Sequence, residues 1–182
     1  EGLAVAVGMA APRWARELRA AYLRGASTVF ILQHNDDVVL HGGRLLALRT
    51  YLETEVLARK DLVVRFDPAT GISSAARGRP LPRATELHGV RAIPEAFTAL
   101  DATLRAVDGV AVIIEQADLL LAGEDLEETR VAIGYLRRWA VDPELEAADN
   151  LIVILSSGPL PDALTQHPRV RAVAAGLPDQ AT

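Results

Sequence analysis

The residues with the chemistry to bind a nucleotide stand directly after apolar runs of the sequence. Glu115 and Gln116 follow one such run, and Ser156 and Ser157 follow another. An acidic side chain after a buried strand can hold Mg²⁺ beside a nucleotide, and a second acidic residue can orient the attacking water. In this sequence Gln116, a neutral amide that cannot accept a proton, stands in that second position. Glu115, Gln116 and Ser156 are candidate nucleotide-binding positions, and the alternative interpretation is that these residues belong to ordinary turns after buried strands. We predict no catalytic residue.

The sequence lacks the loop that would bind the phosphates of such a nucleotide. That loop requires glycines whose backbone amides surround the phosphates, a lysine for the outer phosphates and a hydroxyl for magnesium. The turn at 34–44 instead carries two aspartates and ends in Gly-Gly-Arg, and Lys60 is the only lysine of the chain. We interpret the Gly-Gly-Arg sequence as the entry to a helix.

Three other kinds of site are not supported by the sequence. His34, Asp36 and His41 could together bind a metal ion, but no helical or hairpin spacing fixes their geometry, so we predict no metal site. The sequence contains no Gly-x-Ser-x-Gly motif, so a serine hydrolase is not supported. Arginines lie between Arg77 and Arg91 without aromatic residues among them, and the chain is acidic overall. We interpret this stretch as a solvated loop and predict no nucleic-acid partner.

The composition is that of an ordinary globular protein. The 182 residues include 24 acidic and 19 basic side chains, a net charge of -5, and no cysteine. The absence of cysteine excludes disulfide scaffolds, thiolate zinc sites, iron–sulfur clusters and thiol nucleophiles. No apolar run approaches the roughly 18 residues of a membrane span, and the first residues lack a signal-peptide pattern. We expect a cytoplasmic protein without a membrane partner.

Apolar periodicity predicts alternating helices and strands. Helices are predicted at 12–24, 43–60, from Pro94 to about residue 107, and at 126–140, and strands at 27–33, 62–66, 110–114, 151–155 and, more weakly, 170–174. The stretch 67–94 is predicted to be a long basic loop. This alternation predicts one three-layer α/β/α domain with a mainly parallel five-stranded sheet, whose site lies at the carboxyl ends of the strands.

Several of these features, in order along the chain, resemble one known family. The run 110–115 looks like a Walker B strand, and 150–157 looks like a sensor-1 strand after the helix at 127–140. The Leu-Pro-Asp sequence at 177–179 resembles the turn before the helical lid of AAA+ ATPases. The sequence is similar to the degenerate N-terminal domain, without a P-loop, of two-part AAA+ proteins, a group that includes a chloroplast and cyanobacterial family. The resemblance implies a P-loop NTPase-like fold, an AAA+ core without its lid.

The same resemblance implies what the domain does. It implies that residues 1–182 are the N-terminal fragment of a larger oligomeric ATPase, in which this domain regulates or assembles the complex without catalysis. The parent protein would require ATP and magnesium, whereas this fragment would hold no cofactor. Its expected partners are its own C-terminal ATPase domain, sister subunits and a client protein.

Other functions remain open from the residues alone. The domain could be a weakly nucleotide-binding ATPase core that uses residues 35–44 and Glu115. It could be a response-regulator receiver, since the aspartates at 36–37, Asp118 and Ser156 imitate the receiver residues, although no lysine follows position 60. It could also be a plain protein-interaction domain without any ancestral site in use.

Overall fold

The computed structural model describes residues 11–34, 37–76, 88–122 and 126–175 and shows an α/β fold around one six-stranded sheet. The strands of the chain are β1 (Val29–His34), β2 (Val38–His41), β3 (Arg44–Ala47), β4 (Leu62–Asp67), β5 (Gly71–Ala76), β6 (Val110–Ile114), β7 (Leu151–Ser156) and β8 (Val170–Ala175). The main sheet has the order β5-β4-β6-β7-β1-β8, and β2 and β3 form a separate antiparallel hairpin. All neighbours in the main sheet are parallel except β4 and β5.

The helices cover both faces of this sheet. They are α1 (Arg13–Leu23), α2 (Leu48–Tyr51), α3 (Ile93–Ala106), α4 (Ala117–Leu121), α5 (Leu126–Ala140), α6 (Pro143–Ala147) and α7 (Asp162–Thr165). Helix α2 continues into a π-helical turn over Leu52–Val56, in which the Leu57 amide donates to the Leu52 carbonyl at 2.7 Å. No helix among the described residues is long and apolar enough to cross a membrane.

The strands form the core because their side chains alternate between two buried faces. Val112 and Ile114 of β6 pack with the helices α3 and α5, whereas Ala111 and Ile113 of the same strand pack toward α1 and α2. The first face contains a stacked pair, Phe97 and Trp139, with ring centroids 5.7 Å apart. The predicted three-layer arrangement is therefore confirmed, with helices on both sides of a buried, mainly parallel sheet.

The predicted count of five strands is wrong, because the sheet has a sixth strand inside the predicted loop 67–94. The Asp67 carboxylate caps the turn after β4 by accepting the Ala69 amide at 2.7 Å, and Gly71 has the positive φ that a tight reversal favours. The chain then runs back antiparallel to β4. Strand β5 was not predicted because its small and polar residues, Gly-Ile-Ser-Ser-Ala-Ala, form no apolar run.

The prediction of a helix from residue 43 is also wrong at its start, because residues 38–47 form the β2–β3 hairpin. Gly42 and Gly43 both have positive φ, as a two-residue type I′ hairpin turn requires. Leu40 pairs with Leu45 across the hairpin, and both are exposed. The helix therefore begins only at Leu48, whose amide donates to the Asp37 carbonyl at 2.7 Å.

The order of the strands places a crevice beside β1. The chain leaves β1 toward α2 on one face of the sheet, whereas the connections after β6 and β7 cover the other face with α4, α5 and α7. Open α/β sheets bind ligands at such a switch, outside the carboxyl ends of their strands. The 177–179 turn, Asn35 and Asp36, and the arginines from 77 to 83 lie outside the described residues.

Candidate functional site

A cleft of about 370 Å³ lies at the carboxyl ends of β1, β4, β6 and β7. We call it the carboxyl-edge cleft. Its ionisable lining residues are His34, Asp37, Arg49, Asp67, Glu115 and Asp118. The chain at the carboxyl ends of three strands, β1, β4 and β6, therefore contributes four carboxylates, while one arginine supplies the only permanent positive charge among the described lining residues.

Glu115 forms the floor of the cleft, directly after β6. Its amide donates to the Phe66 carbonyl at 2.8 Å, which fixes its backbone beside the end of β4. Its side chain is 13% exposed, and Oε1 lies 3.4 Å from Nη1 of Arg49. Burial raises the pKa of the Glu115 carboxyl, Arg49 opposes this shift, and the charge of Asp67 adds to it. One long contact with a half-exposed arginine thus leaves this carboxylate incompletely compensated.

Gln116 also lines the cleft, and its backbone is left-handed, with φ 50° and ψ 44°. This conformation is uncommon for a residue other than glycine and turns the chain from β6 into α4. The side-chain amide Nε2 donates to Oδ2 of Asp67 at 3.0 Å. Gln116 therefore binds a neighbouring carboxylate and holds the ends of β4 and β6 together.

The two serines after β7 differ in position. Ser156 is buried, and its hydroxyl donates to the Gly158 carbonyl at 2.7 Å. Ser157 lines the cleft, but Ser156 does not. The structure thus brings Glu115 and Gln116 together in one cleft. The third predicted binding residue, Ser156, is buried and does not line the cleft.

The β2–β3 hairpin and α2 occupy the place where a phosphate-binding loop would follow the first strand. Such a loop surrounds phosphates with backbone amides, whereas in the hairpin the backbone groups of β2 pair with those of β3. Nothing lies within 4 Å of the position that a Cβ would take at either glycine of the tip. The glycines therefore serve the hairpin turn.

Lys60 lies at the opposite edge of the sheet, before β4, and cannot serve the cleft. It is 2% exposed. Its Nζ donates to the Asp149 carbonyl at 2.6 Å and to the Tyr22 hydroxyl at 3.1 Å, and Tyr22 donates to the Asp149 carboxylate. Burial lowers the pKa of Lys60, and the charge of Asp149 opposes this shift. We call Tyr22, Lys60 and Asp149 the amino-edge cluster.

The two histidines considered for a metal site lie in different parts of the fold. His34 ends β1 and lines the cleft, whereas His41 lies in the hairpin, where its Nε2 is 3.5 Å from Glu55 and its ring contacts Tyr51 edge to face. The expectation that no hairpin geometry holds His41 is therefore wrong. Among the described residues, no group of three or more histidine and acidic side chains is arranged to hold a metal ion.

Sequence reasoning did not single out Asp67 and Arg49 as site residues. Asp67 is the last residue of β4, so the rule that sites lie at strand ends could have identified it. Arg49 is the second residue of α2, and no pattern identified it because the start of α2 depends on the hairpin before it. Asp118, one of the residues that imitate a receiver, lines the same cleft. A receiver would also need a lysine there, but Lys60, the only lysine of the chain, is buried at the other edge of the sheet.

One comparison with known proteins identifies a family. The sequence model described as "AAA+ chaperone, N-terminal Rossmann-like domain" matches residues 7–176, which is nearly the whole chain. No curated protein is significantly similar to the chain.

Proposed function

The chain belongs to this family of AAA+ chaperone N-terminal Rossmann-like domains, and we propose that it is a regulatory and assembly domain that does not hydrolyse ATP. In this proposal the ancestral nucleotide site is degenerate, without a P-loop, as in the chloroplast and cyanobacterial proteins that the sequence resembles. ATP and magnesium act in a separate ATPase domain of the parent protein. The partners are that C-terminal domain, sister subunits in a cytoplasmic oligomer, and a client protein.

The charge of the carboxyl-edge cleft carries this proposal. A nucleoside triphosphate brings about four negative charges, and enzymes that transfer its phosphoryl group surround it with backbone amides, a lysine and magnesium. The cleft instead presents Asp37, Asp67, Glu115 and Asp118 against Arg49. Like charges about 4 Å apart repel by about 4 kcal/mol at the effective dielectric constant of a protein surface. This balance favours the loss of nucleotide binding.

The first test is a titration of the chain with a fluorescent ATP analogue in the presence of magnesium. We expect no saturable binding up to about 1 mM nucleotide, a concentration that corresponds to a binding free energy of about -4 kcal/mol, and no phosphate release. Micromolar binding with measurable turnover would contradict the proposal. Arg49→Gln serves as the matched variant, because it removes the single permanent positive charge from the cleft lining.

A second candidate is a weak nucleotide-binding core that uses Glu115. The contact between Arg49 and Glu115 at 3.4 Å supports it, because this arginine could contact a phosphate while the carboxylate holds magnesium. Glu115→Ala distinguishes the two functions. Loss of a measured nucleotide affinity in this variant would support the second candidate, whereas an absence of binding in both proteins supports a pure interaction and regulatory domain.

A further inference from the structure

We propose that the carboxyl-edge cleft accepts an arginine side chain presented between apolar residues of a partner protein. The inference rests on the proposed function, because an occupied nucleotide site would leave no room for it. The cleft would then have changed from a site for a polyanion into a site for a cation. Three observations support this occupant: the excess of carboxylates, the buried Nδ1 of His34 and the apolar rim.

The carboxylates of the cleft have unused capacity to bind a cation. Each carboxylate can accept about four hydrogen bonds, yet within the described part of the chain Glu115 is paired only with Arg49, at 3.4 Å. The other nearby cation, Arg65, is paired with Glu53 at 2.9 Å and so adds little net positive charge. Asp37 is 90% exposed, so a ligand in the cleft can reach its carboxylate. A buried carboxylate that gains a cation in hydrogen-bond contact is stabilised more than an exposed one.

His34 is an independent indication of a missing ligand. Its side chain is only 10% exposed and lines the cleft. Nδ1 is buried and has no hydrogen-bond partner among the residues that the structure describes. Oδ1 of Asp37 lies 3.1 Å from this nitrogen, but the two do not form a hydrogen bond. The Asp37 carboxylate therefore receives no hydrogen bond from His34, and an N–H group of a ligand in the cleft can supply one.

The chemistry of the cation also matters, and the acidic groups of the cleft suit a guanidinium better than a metal ion. In the described part of the chain the acidic groups do not converge on a point that could hold a metal ion. A guanidinium has five N–H donors in a fixed plane and can bind separated acceptors, whereas an ammonium acts as a point charge. Arginine therefore suits a cleft whose acceptors come from separate elements, Asp37 and Glu115, better than lysine or a divalent ion does.

The rim of the cleft provides apolar contacts for the residues beside that arginine. Leu119, which lines the cleft, is 64% exposed. On the opposite side, Ala47 lines the cleft and pairs with Val38 across the hairpin, on the same face as the exposed Leu40 and Leu45. An exposed apolar patch that borders a pocket is typical of a protein interaction site. The rim therefore fits a peptide segment better than a free amino acid.

The test is a titration of the ¹⁵N-labelled full chain with the peptide acetyl-Leu-Arg-Leu-amide. The control peptide contains citrulline, which keeps the shape of arginine but is neutral. We expect resonance shifts at His34 and Glu115 and at least tenfold weaker binding of the citrulline peptide. We also expect the affinity to fall with added salt, because the attraction is between partly exposed charges. Weaker binding of the corresponding lysine peptide would confirm the preference for a guanidinium.

Two variants localise the effect. Glu115→Gln should weaken binding of the arginine peptide about tenfold, whereas Asp108→Asn, which removes an exposed charge before β6 at the other edge of the sheet, should leave it unchanged. Equal binding of the arginine and citrulline peptides, or an unchanged affinity in Glu115→Gln, would overturn the inference. Magnesium chloride that alone shifts the same resonances would also overturn it, in favour of a metal site.

Failure of this inference is distinguishable from failure of the proposed function. ATP with magnesium is added to the same labelled sample in a separate titration. If ATP binds in the cleft and the arginine peptide does not, both proposals fail. If neither ligand binds, only the arginine inference fails, and the domain keeps its proposed non-catalytic role.

Discussion

The polar groups at the two edges of the sheet differ in how completely they are paired. At the amino edge, Lys60 is almost completely buried and has three polar contacts, with the Asp149 carbonyl, the Asp149 carboxylate and Tyr22. At the carboxyl edge, Glu115 has one long contact with Arg49 among the described residues, and the buried Nδ1 of His34 lies 3.1 Å from Oδ1 of Asp37 without forming a hydrogen bond. Satisfied polar groups stabilise a fold, whereas incompletely paired ones leave capacity for a ligand. The comparison assigns stability to the amino edge and binding to the carboxyl edge.

Asn150 is the strongest test of the amino edge. It is fully buried before β7. Its Oδ1 accepts the Val110 amide at 2.7 Å, and its Nδ2 donates to the carbonyls of Leu104 and Val107 at 2.8 and 2.9 Å. Asn150→Ala should lower the free energy of unfolding by about 3 kcal/mol, because it leaves three buried backbone groups unpaired. Urea denaturation followed by the fluorescence of Trp14 and Trp139 measures the change.

The matched substitution Asn150→Asp keeps the acceptor for Val110 but places a carboxylate against two carbonyls. We expect it to destabilise the fold at neutral pH at least as much as alanine does, because a buried, unpaired charge costs more than a lost hydrogen bond. A loss below about 0.5 kcal/mol in both variants, the range typical of surface substitutions, would remove the distinction between the two edges.

Lys60 should give the next largest effect. Lys60→Met keeps most of the apolar volume but leaves the Asp149 carbonyl and Tyr22 without their donor, and should cost about 2 kcal/mol. The cost is less than for a fully buried ion pair, because the Asp149 side chain is half exposed. Chemical denaturation of Arg16→Met, an exposed change on α1, gives the control, with a change within about 0.5 kcal/mol. Equal losses in the two variants would contradict a structural role for Lys60.

Substitution of Glu115 should give the smallest change in the free energy of unfolding, with a sign opposite to that of the Asn150 and Lys60 variants. Burial raises the pKa of its carboxyl above the ordinary 4.5, and Arg49 only partly opposes this. The folded state therefore holds this proton more tightly than the unfolded chain, and ionisation of Glu115 lowers stability as the pH rises through its folded pKa. Glu115→Gln should raise the free energy of unfolding at pH 7 by about 0.5 kcal/mol.

The pH dependence checks this sign. Below the ordinary pKa of about 4.5 the carboxyl is protonated in both states, so the gain in Glu115→Gln should disappear there. Denaturation curves of wild type and variant between pH 4 and pH 8 measure it, with Asp108→Asn as an exposed control. A variant that is less stable than wild type at pH 7 would show that Glu115 is well compensated, and the comparison of the two edges would lose its basis.

The sequence predicted the parts of the fold that depend on apolar runs. The strands around Val112, Ile31 and Ile154 were predicted nearly residue by residue, because a buried parallel strand is apolar on both faces. Strand β5 and the hairpin were missed. The first is held by backbone pairing with β4 and a turn at Gly71, and the second by the two glycines of its tip. Such turn chemistry carries little apolar signal.

The candidate site was predictable only where it lies at a strand end. Glu115 and Gln116 follow β6 directly, and the structure places both in the cleft. Ser156 could not be distinguished from Ser157 by sequence, because a shift of one residue along a strand end reverses the direction of the side chain. Arg49 enters the cleft because the hairpin delays the start of α2 to Leu48, and the two glycines that signal this hairpin were interpreted as a helix entry.

The π-helical turn after α2 affects the orientation of the hairpin. Within it, Glu53 pairs with Arg65 of β4 and Glu55 contacts His41 of the hairpin. A π turn holds one residue more than an α-helical turn, and one residue corresponds to a rotation of about 100° around the helix axis. Deletion of Thr54 would restore α-helical spacing and rotate the hairpin away from its present orientation. The hairpin side of the apolar rim is thus connected to this turn through the contact between Glu55 and His41.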